Sequence, residues 1–166
     1  MPTATYDLIA SNVLGSSAAS VTFSSIPATY RDLIVVVEAS SSGASNTNGR
    51  LTFNSDTGNN YNWVLMIGDG SSATSASSSN TSNIIILESA TSTRRVLGIA
   101  QIQDYSATDK HKSTLGRYGN AATATTAAAG RWANTAAITS VTIEAFSGTG
   151  LQWASGSSFY LYGIVS

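Results

Sequence analysis

Arg31-Asp32-Leu33-Ile34-Val35-Val36-Val37-Glu38-Ala39-Ser40 is the stretch whose reading decides the fold. It is the most apolar and most β-branched run in the chain. Ile26-Pro27-Ala28-Thr29 precedes it and a Ser/Gly/Asn-rich segment follows, which marks a strand bounded at both ends. Alternation sends Leu33, Val35 and Val37 to one face and Ile34 and Val36 to the other, so both faces are oily. A strand half exposed to water does not look like this. One cover is the opposite sheet of a small all-β protein. The sequence shows no amphipathic helix to act as the second, so Ile34 and Val36 are expected to meet a neighbouring subunit.

Working outward, Tyr6–Leu14 and Ala18–Phe23 read as strands joined at Gly15-Ser16-Ser17. Asn48-Gly49 reads as a hairpin turn leading into Arg50–Phe53. Tyr61, Trp63, Leu65 and Ile67 share a face by period two. Gly68–Asn83, rich in Ser, Ala, Thr and Asn, is expected to be a long loop. Ile84–Leu87 reads as a short buried strand. Val96–Tyr105 carries Leu97 and Ile99 on one face but Gln101 and Gln103 further along it, so it is expected to leave the core at its C-terminal end. Lys112–Tyr118 gives a weaker strand pattern, and the Ala/Thr tract Gly119–Gly130 suits a strand or a close-packed loop better than a helix. Ile138–Phe146 and Ser158–Ile164 complete the set, with turns at Gly148-Thr149-Gly150 and Ser155-Gly156-Ser157.

About eight to ten short strands without a helix predict an all-β, two-sheet antiparallel β-sandwich, jelly-roll-like in topology. Residues 1–166 read as one such domain, with 1–6 a candidate extended N-terminal arm. The chain is long enough to bury a core without metal or disulfide staples, and it has no cysteine.

Charged residues make up 10% of the chain, against roughly 25% in ordinary soluble domains, and 8 Lys plus Arg nearly cancel 9 Asp plus Glu. The cations are scattered, so no basic field exists to neutralise nucleic-acid phosphates. With 42% hydrophobic residues the chain is expected to fold rather than stay disordered. The first residues lack the pattern of a secretory signal, and no run approaches the roughly 20 apolar residues that span a bilayer. The expectation is a product made in the cytoplasm, with no membrane partner.

Catalytic chemistry is poorly represented. His111, the one histidine, sits in Asp109-Lys110-His111-Lys112, a charged turn, and no Gly-x-Ser-x-Gly elbow accompanies it. Glu38, Glu88 and Glu144 lie within or at the ends of predicted strands, where a cross-strand or rim role is ordinary. Asn54, Asp56 and Asn59 offer oxygen ligands for a metal such as calcium. Their segment departs from the EF-hand loop, and Asn, Asp and Gly are also what a tight turn requires. Trp132 and Trp153 follow no clean core period; core or interface packing is the favoured reading for them, with an exposed sugar-binding face the alternative.

Several segments, taken in order, resemble virion structural proteins of tailed bacteriophages. These are Ser20-Val21-Thr22-Phe23-Ser24-Ser25-Ile26-Pro27-Ala28-Thr29-Tyr30-Arg31-Asp32-Leu33, Phe53–Tyr61, Ala136–Val141 and Gly156–Ile164. The resemblance implies a non-enzymatic particle protein without cofactor or catalytic residues. Its expected place is the capsid surface of a virion, where a homo-oligomer, typically a trimer, decorates or cements the lattice against the major capsid protein. The alternative is a receptor- or carbohydrate-binding module of a fibre or tail, facing a host glycan. Scarce charge fits interfaces, which deplete Lys, Glu and Asp. The expected interface residues are Ile34, Val36, Trp132 and Trp153, and Gly68–Asn83 and Met1–Tyr6 are candidate lattice contacts.

Overall fold

In chain order the strands are β1 (Tyr6–Val13), β2 (Ser20–Phe23), β3 (Asp32–Ala39), β4 (Thr47–Phe53), β5 (Tyr61–Gly68) and β6 (Ala73–Thr81). They continue as β7 (Ile84–Ala90), β8 (Val96–Gln103), β9 (Lys112–Asn120), β10 (Ala124–Trp132), β11 (Val141–Phe146) and β12 (Ser158–Ile164). The structure is a computed structural model and describes residues 4–120, 122–146 and 151–165, among which there is no helix. The turn expected at Gly148-Thr149-Gly150 and the first three residues of the expected arm lie outside the described residues. Tyr6 belongs to β1, and the Thr5 carbonyl accepts from the Val165 N–H at 3.0 Å, so residues 5 and 6 are tied to the sheet.

Two antiparallel sheets form, in the orders β1-β12-β3-β8-β9-β10-β5-β6 and β2-β11-β4-β7. With the hairpins β5–β6 and β9–β10 set aside, two four-stranded sheets remain, paired first with last: β1 with β12, β2 with β11, β3 with β8 and β4 with β7. That nesting is a long antiparallel ribbon rolled into a sandwich, a jelly roll. The two extra hairpins extend one sheet only, leaving eight strands facing four.

The core lies between the sheets. Leu33, Val35 and Val37 on β3 are at most 1% exposed, and Phe23, Leu51, Phe53, Val141 and Ile143 of the small sheet are buried opposite. The Tyr61 strand, by contrast, lies in the same sheet as β3 and does not cover it. β7 lies against the extended part of the large sheet, and its whole run Ile84–Leu87 is buried. Glycines permit that approach: a Cβ on Gly98 would come within 2.7 Å of the Ile86 carbonyl, and one on Gly130 within 2.7 Å of an Ile84 methyl.

Four expectations are corrected here. The described residues form twelve strands, not eight to ten. Gly68–Asn83 is mostly strand β6, an exposed sheet edge held by backbone pairing to β5, which needs no apolar side chain. Asn48-Gly49 lies inside β4 and neither residue takes the left-handed conformation of a two-residue turn. Gly49 is there for packing, because a Cβ would sit 2.9 Å from that of Leu87. Finally, β8 does not leave the core: Val96, Ala100 and Ile102 point inward, followed by the buried Tyr105, while Leu97 and Ile99 occupy its outer face.

Candidate functional site

Strand alternation and register place two rows of side chains on the outer face of the large sheet. Tyr162, Ile34, Gln101, Leu115, Ala129 and Val64 stand abreast on β12, β3, β8, β9, β10 and β5. Beside them run Tyr160, Val36, Ile99, Arg117, Ala127 and Met66. No strand of the other sheet covers this face, and of the large exposed apolar residues Tyr6, Leu8, Val13, Val64, Met66, Leu97 and Leu115 lie on it. Met66 is 69% exposed.

Eight strands at about 4.8 Å spacing make this face about 34 Å wide, and with its adjoining rows its area is on the order of 600 Å². That is the upper end of what monomers ordinarily expose, and it approaches the roughly 800 Å² each partner contributes to a standard interface. A groove of about 710 Å³ runs along it between Tyr6, Tyr162, Ile34, Ile99, Leu115 and Arg117. The Tyr160 and Tyr162 rings lie side by side with centroids 6.3 Å apart. Arg117 forms no ion pair among the described residues, while Gln101 donates to Asp32 at 2.9 Å.

The outer face of the small sheet is polar. Thr22 and Thr142 share a hydroxyl hydrogen bond of 2.9 Å. Arg50 donates twice to Glu144, at 2.9 and 2.7 Å, and its guanidinium lies 4.7 Å from the centre of the Phe146 ring.

Ile34 and Val36 point away from the small sheet and are half-buried by their strand neighbours. Trp132 and Trp153 require correction. They are 1% and 0% exposed, so neither offers a ring to a partner subunit or a sugar. Trp132 lies between Phe53 and Tyr61, at centroid distances of 5.5 and 6.2 Å, and donates its indole N–H to Asp56 at 2.8 Å. Trp153 packs on Phe159 at 6.0 Å and its backbone bridges to Ala18 and Ser41. The alternation Thr126, Ala128, Gly130, Trp132 along β10 was the available signal for the first of these.

Asn54, Asp56 and Asn59 do not converge on a metal position. The Asn54 Oδ1 accepts from the backbone of Thr139 and Ser140, and its Nδ2 donates to Ala137 at 2.8 Å, tying the two loops together. Asp56 accepts from Asn60, from the Gly58 N–H and from Trp132. The Asn60 bond, followed by those from Gly58 and Trp132, holds its carboxyl below the ordinary value against the opposing effect of burial. Asn59 is exposed. No group of three His, Asp or Glu side chains among the described residues could hold a metal.

The carboxylates stand in different settings. Glu144 pairs with Arg50, Glu38 lies 3.7 Å from Arg95, and Glu88 lines a separate cleft. His111 is exposed just before β9. Its neighbour Lys112 is buried, donating to the carbonyls of Lys110 and Thr135, and burial lowers its pKa. Of the apolar outer face only Ile34 and Val36 were expected from the sequence. The other residues come from strands whose pairing it does not disclose.

Fold and surface together define a jelly-roll β-sandwich with one uncovered apolar sheet face. No family model matches the chain, and no curated protein matches it. Among solved structures, a bifunctional GH43-CE of Bacteroides eggerthii is similar over 82% of this chain, with 11% identity and a TM-score of 0.34. The match covers 18% of that much longer chain. At that score the likeness carries no functional meaning.

Proposed function

We propose that this chain is a non-enzymatic structural protein of a phage particle, a homo-oligomeric capsid decoration protein that uses the outer face of its large sheet as an interface. One observation carries the reading: the large sheet exposes Leu8, Val64, Met66, Leu97 and Leu115 around Ile34 and Val36, while the small sheet's outer face carries polar pairs and a single large exposed apolar residue among those described, Phe146, beneath Arg50. Association removes apolar area from water, and a neutral face suits that, because few charges have to be desolvated. Repeated by symmetry, modest contacts of this kind resist a load that no single contact could bear. The phage assignment and the trimer rest on the resemblance of the ordered segments described above.

Sedimentation equilibrium of the purified protein, followed by co-sedimentation with empty capsids, tests the reading. The expected result is a closed oligomer that binds capsids and shields Leu115 and Met66 from solvent. A strict monomer that leaves capsids undecorated would sink it.

A further inference from the structure

At the end of the sandwich where β9 turns into β10, a cleft of about 440 Å³ is lined by Asn46, Asn48, Glu88, Tyr118, Thr123 and Thr126. Tyr118 is 4% exposed, and its hydroxyl makes no hydrogen bond of normal geometry among the described residues, although Glu88 and Thr126 are its neighbours. Buried hydroxyls are almost always bonded, because an unpaired one costs free energy. Burial, and after it the nearby Glu88 charge, push the Tyr118 pKa up, so the group is a neutral hydroxyl with a proton to donate. Asn120 lies two residues further on the same face of β9. Its Oδ1 accepts from Ala122 at 2.9 Å and Thr123 at 3.2 Å, while its Nδ2 is buried without a partner.

The walls of this cleft are shaped by backbone irregularity. Thr47 pairs with Ala90 and Gly49 with Leu87, so β7 carries an extra residue at Glu88-Ser89. Ser89 sits there at φ +63°, its N–H donated to the Asn48 Oδ1 at 3.2 Å. Bulges of this kind re-aim side chains beside binding sites. On the facing wall Gly119 has φ +152°, and a Cβ on it would fall 2.2 Å from the Ala124 carbonyl.

The donor pattern narrows the ligand. The Asn46 Oδ1 accepts from Arg94 at 2.8 Å and the Asn48 Oδ1 from Ser89, so these side chains have amide N–H groups to offer. A metal ion needs oxygen lone pairs, and Glu88 supplies the one carboxylate among the described lining residues. An anion would face that same carboxylate. A neutral group that accepts from amides and donates to Glu88, several times within a small volume, is a set of vicinal hydroxyls. The geometry points to a binding site for a neutral saccharide unit in this cleft, anchored by Glu88 and the Tyr118 hydroxyl. The site does not involve the apolar sheet face and stands independently of assembly.

Amide NMR spectra of the full chain, titrated with glucose, galactose, mannose and N-acetylglucosamine and separately with calcium, test this. At least one sugar is expected to shift the resonances of Tyr118, Glu88 and Thr126, and calcium is not. Tyr118→Phe is expected to unfold at an unchanged or higher temperature, since it deletes an unpaired group, while weakening the sugar about tenfold; Glu88→Gln is expected to weaken it by a similar factor. Three results would each overturn the site: no sugar moving these resonances, calcium moving them in place of sugar, or Tyr118→Phe binding as tightly as the parent.

Discussion

On the small sheet the outward residues of β4 and β11 are Asn48, Arg50, Thr52, Thr142, Glu144 and Phe146; Arg50 pairs with Glu144 and covers Phe146, and Thr142 pairs with Thr22. On the large sheet the outward residues of β3, β5 and β8 include Ile34, Val36, Val64, Met66, Leu97 and Ile99, with Glu38, Asn62, Gln101 and Gln103 toward the strand ends. The two sheets share one interior and one pleat, so neither strand propensity nor core packing explains the difference. An antiparallel strand records what lies on each of its faces. The small sheet is written for water on its outer side, and the large sheet is not.

That contrast yields four expectations. The largest concerns the interior common to both sheets: Trp132→Ala should cost about 3–5 kcal/mol in urea unfolding, because it empties the Phe53–Tyr61 cluster. A much smaller loss would mean that the two outer faces are not separated by a rigid core.

The next is a pH effect on the same interior. An unfolded tyrosine ionises near 10, whereas burial holds Tyr61 up to about 12 and raises Tyr105 and Tyr118 as well. The folded state keeps these protons longer, so their contribution is fully present below pH 10 and is lost as pH rises above it, for Tyr61 between 10 and about 12. For Tyr61 that loss is up to about 3 kcal/mol. Lys112, with its pKa lowered, works in the opposite direction, its contribution growing as pH rises toward 10.5. Tyr61→Phe should flatten the alkaline decline in thermal melts, and an unaltered decline would contradict the assignment.

Third, Val36→Glu on the large sheet should weaken self-association at least about tenfold with a change of about 1 kcal/mol or less in monomer stability, whereas Thr142→Glu on the small sheet should leave association intact. Equal effects in analytical ultracentrifugation would erase the contrast. Smallest, Glu144→Gln should cost about 0.5–1 kcal/mol and lose most of that effect in high salt, since the pair is partly exposed.

Where apolar side chains alternate, the sequence disclosed the structure well: the two-sided β3 and the inward Tyr61 and Leu65 of β5. It misled where backbone or close packing did the work. β6 pairs through its main chain with almost no apolar side chains, and Gly49 and Gly98 are small because β7 approaches them, a cause invisible to a rule based on turns. The β8 misreading has the same origin, since Gly98 and Ala100 make the middle of an inner face bounded by Val96 and Ile102, while Leu97 and Ile99 face outward. Trp132 and Trp153 drew attention as isolated aromatics, yet each is fixed by partners far away in sequence, Asp56 for the first and the Ala18 and Ser41 backbone for the second. The cleft around Tyr118 was illegible for a related reason, being assembled from five strands or their flanking loops.

The nested pairing also governs how the molecule assembles. Tyr6 lies opposite Ile164, and β12 fills the gap between β1 and β3, so the large sheet cannot close until the twelfth strand is in place. Closing such long loops costs entropy, which slows folding, whereas the local pairs β5 with β6 and β9 with β10 join strands adjacent in sequence. During synthesis β3, the oiliest strand, stays open on one edge until almost the whole described chain has emerged. The chain is exposed to mispairing throughout that interval, and the polar, uncharged β6 edge is the kind of sequence that tolerates the wait.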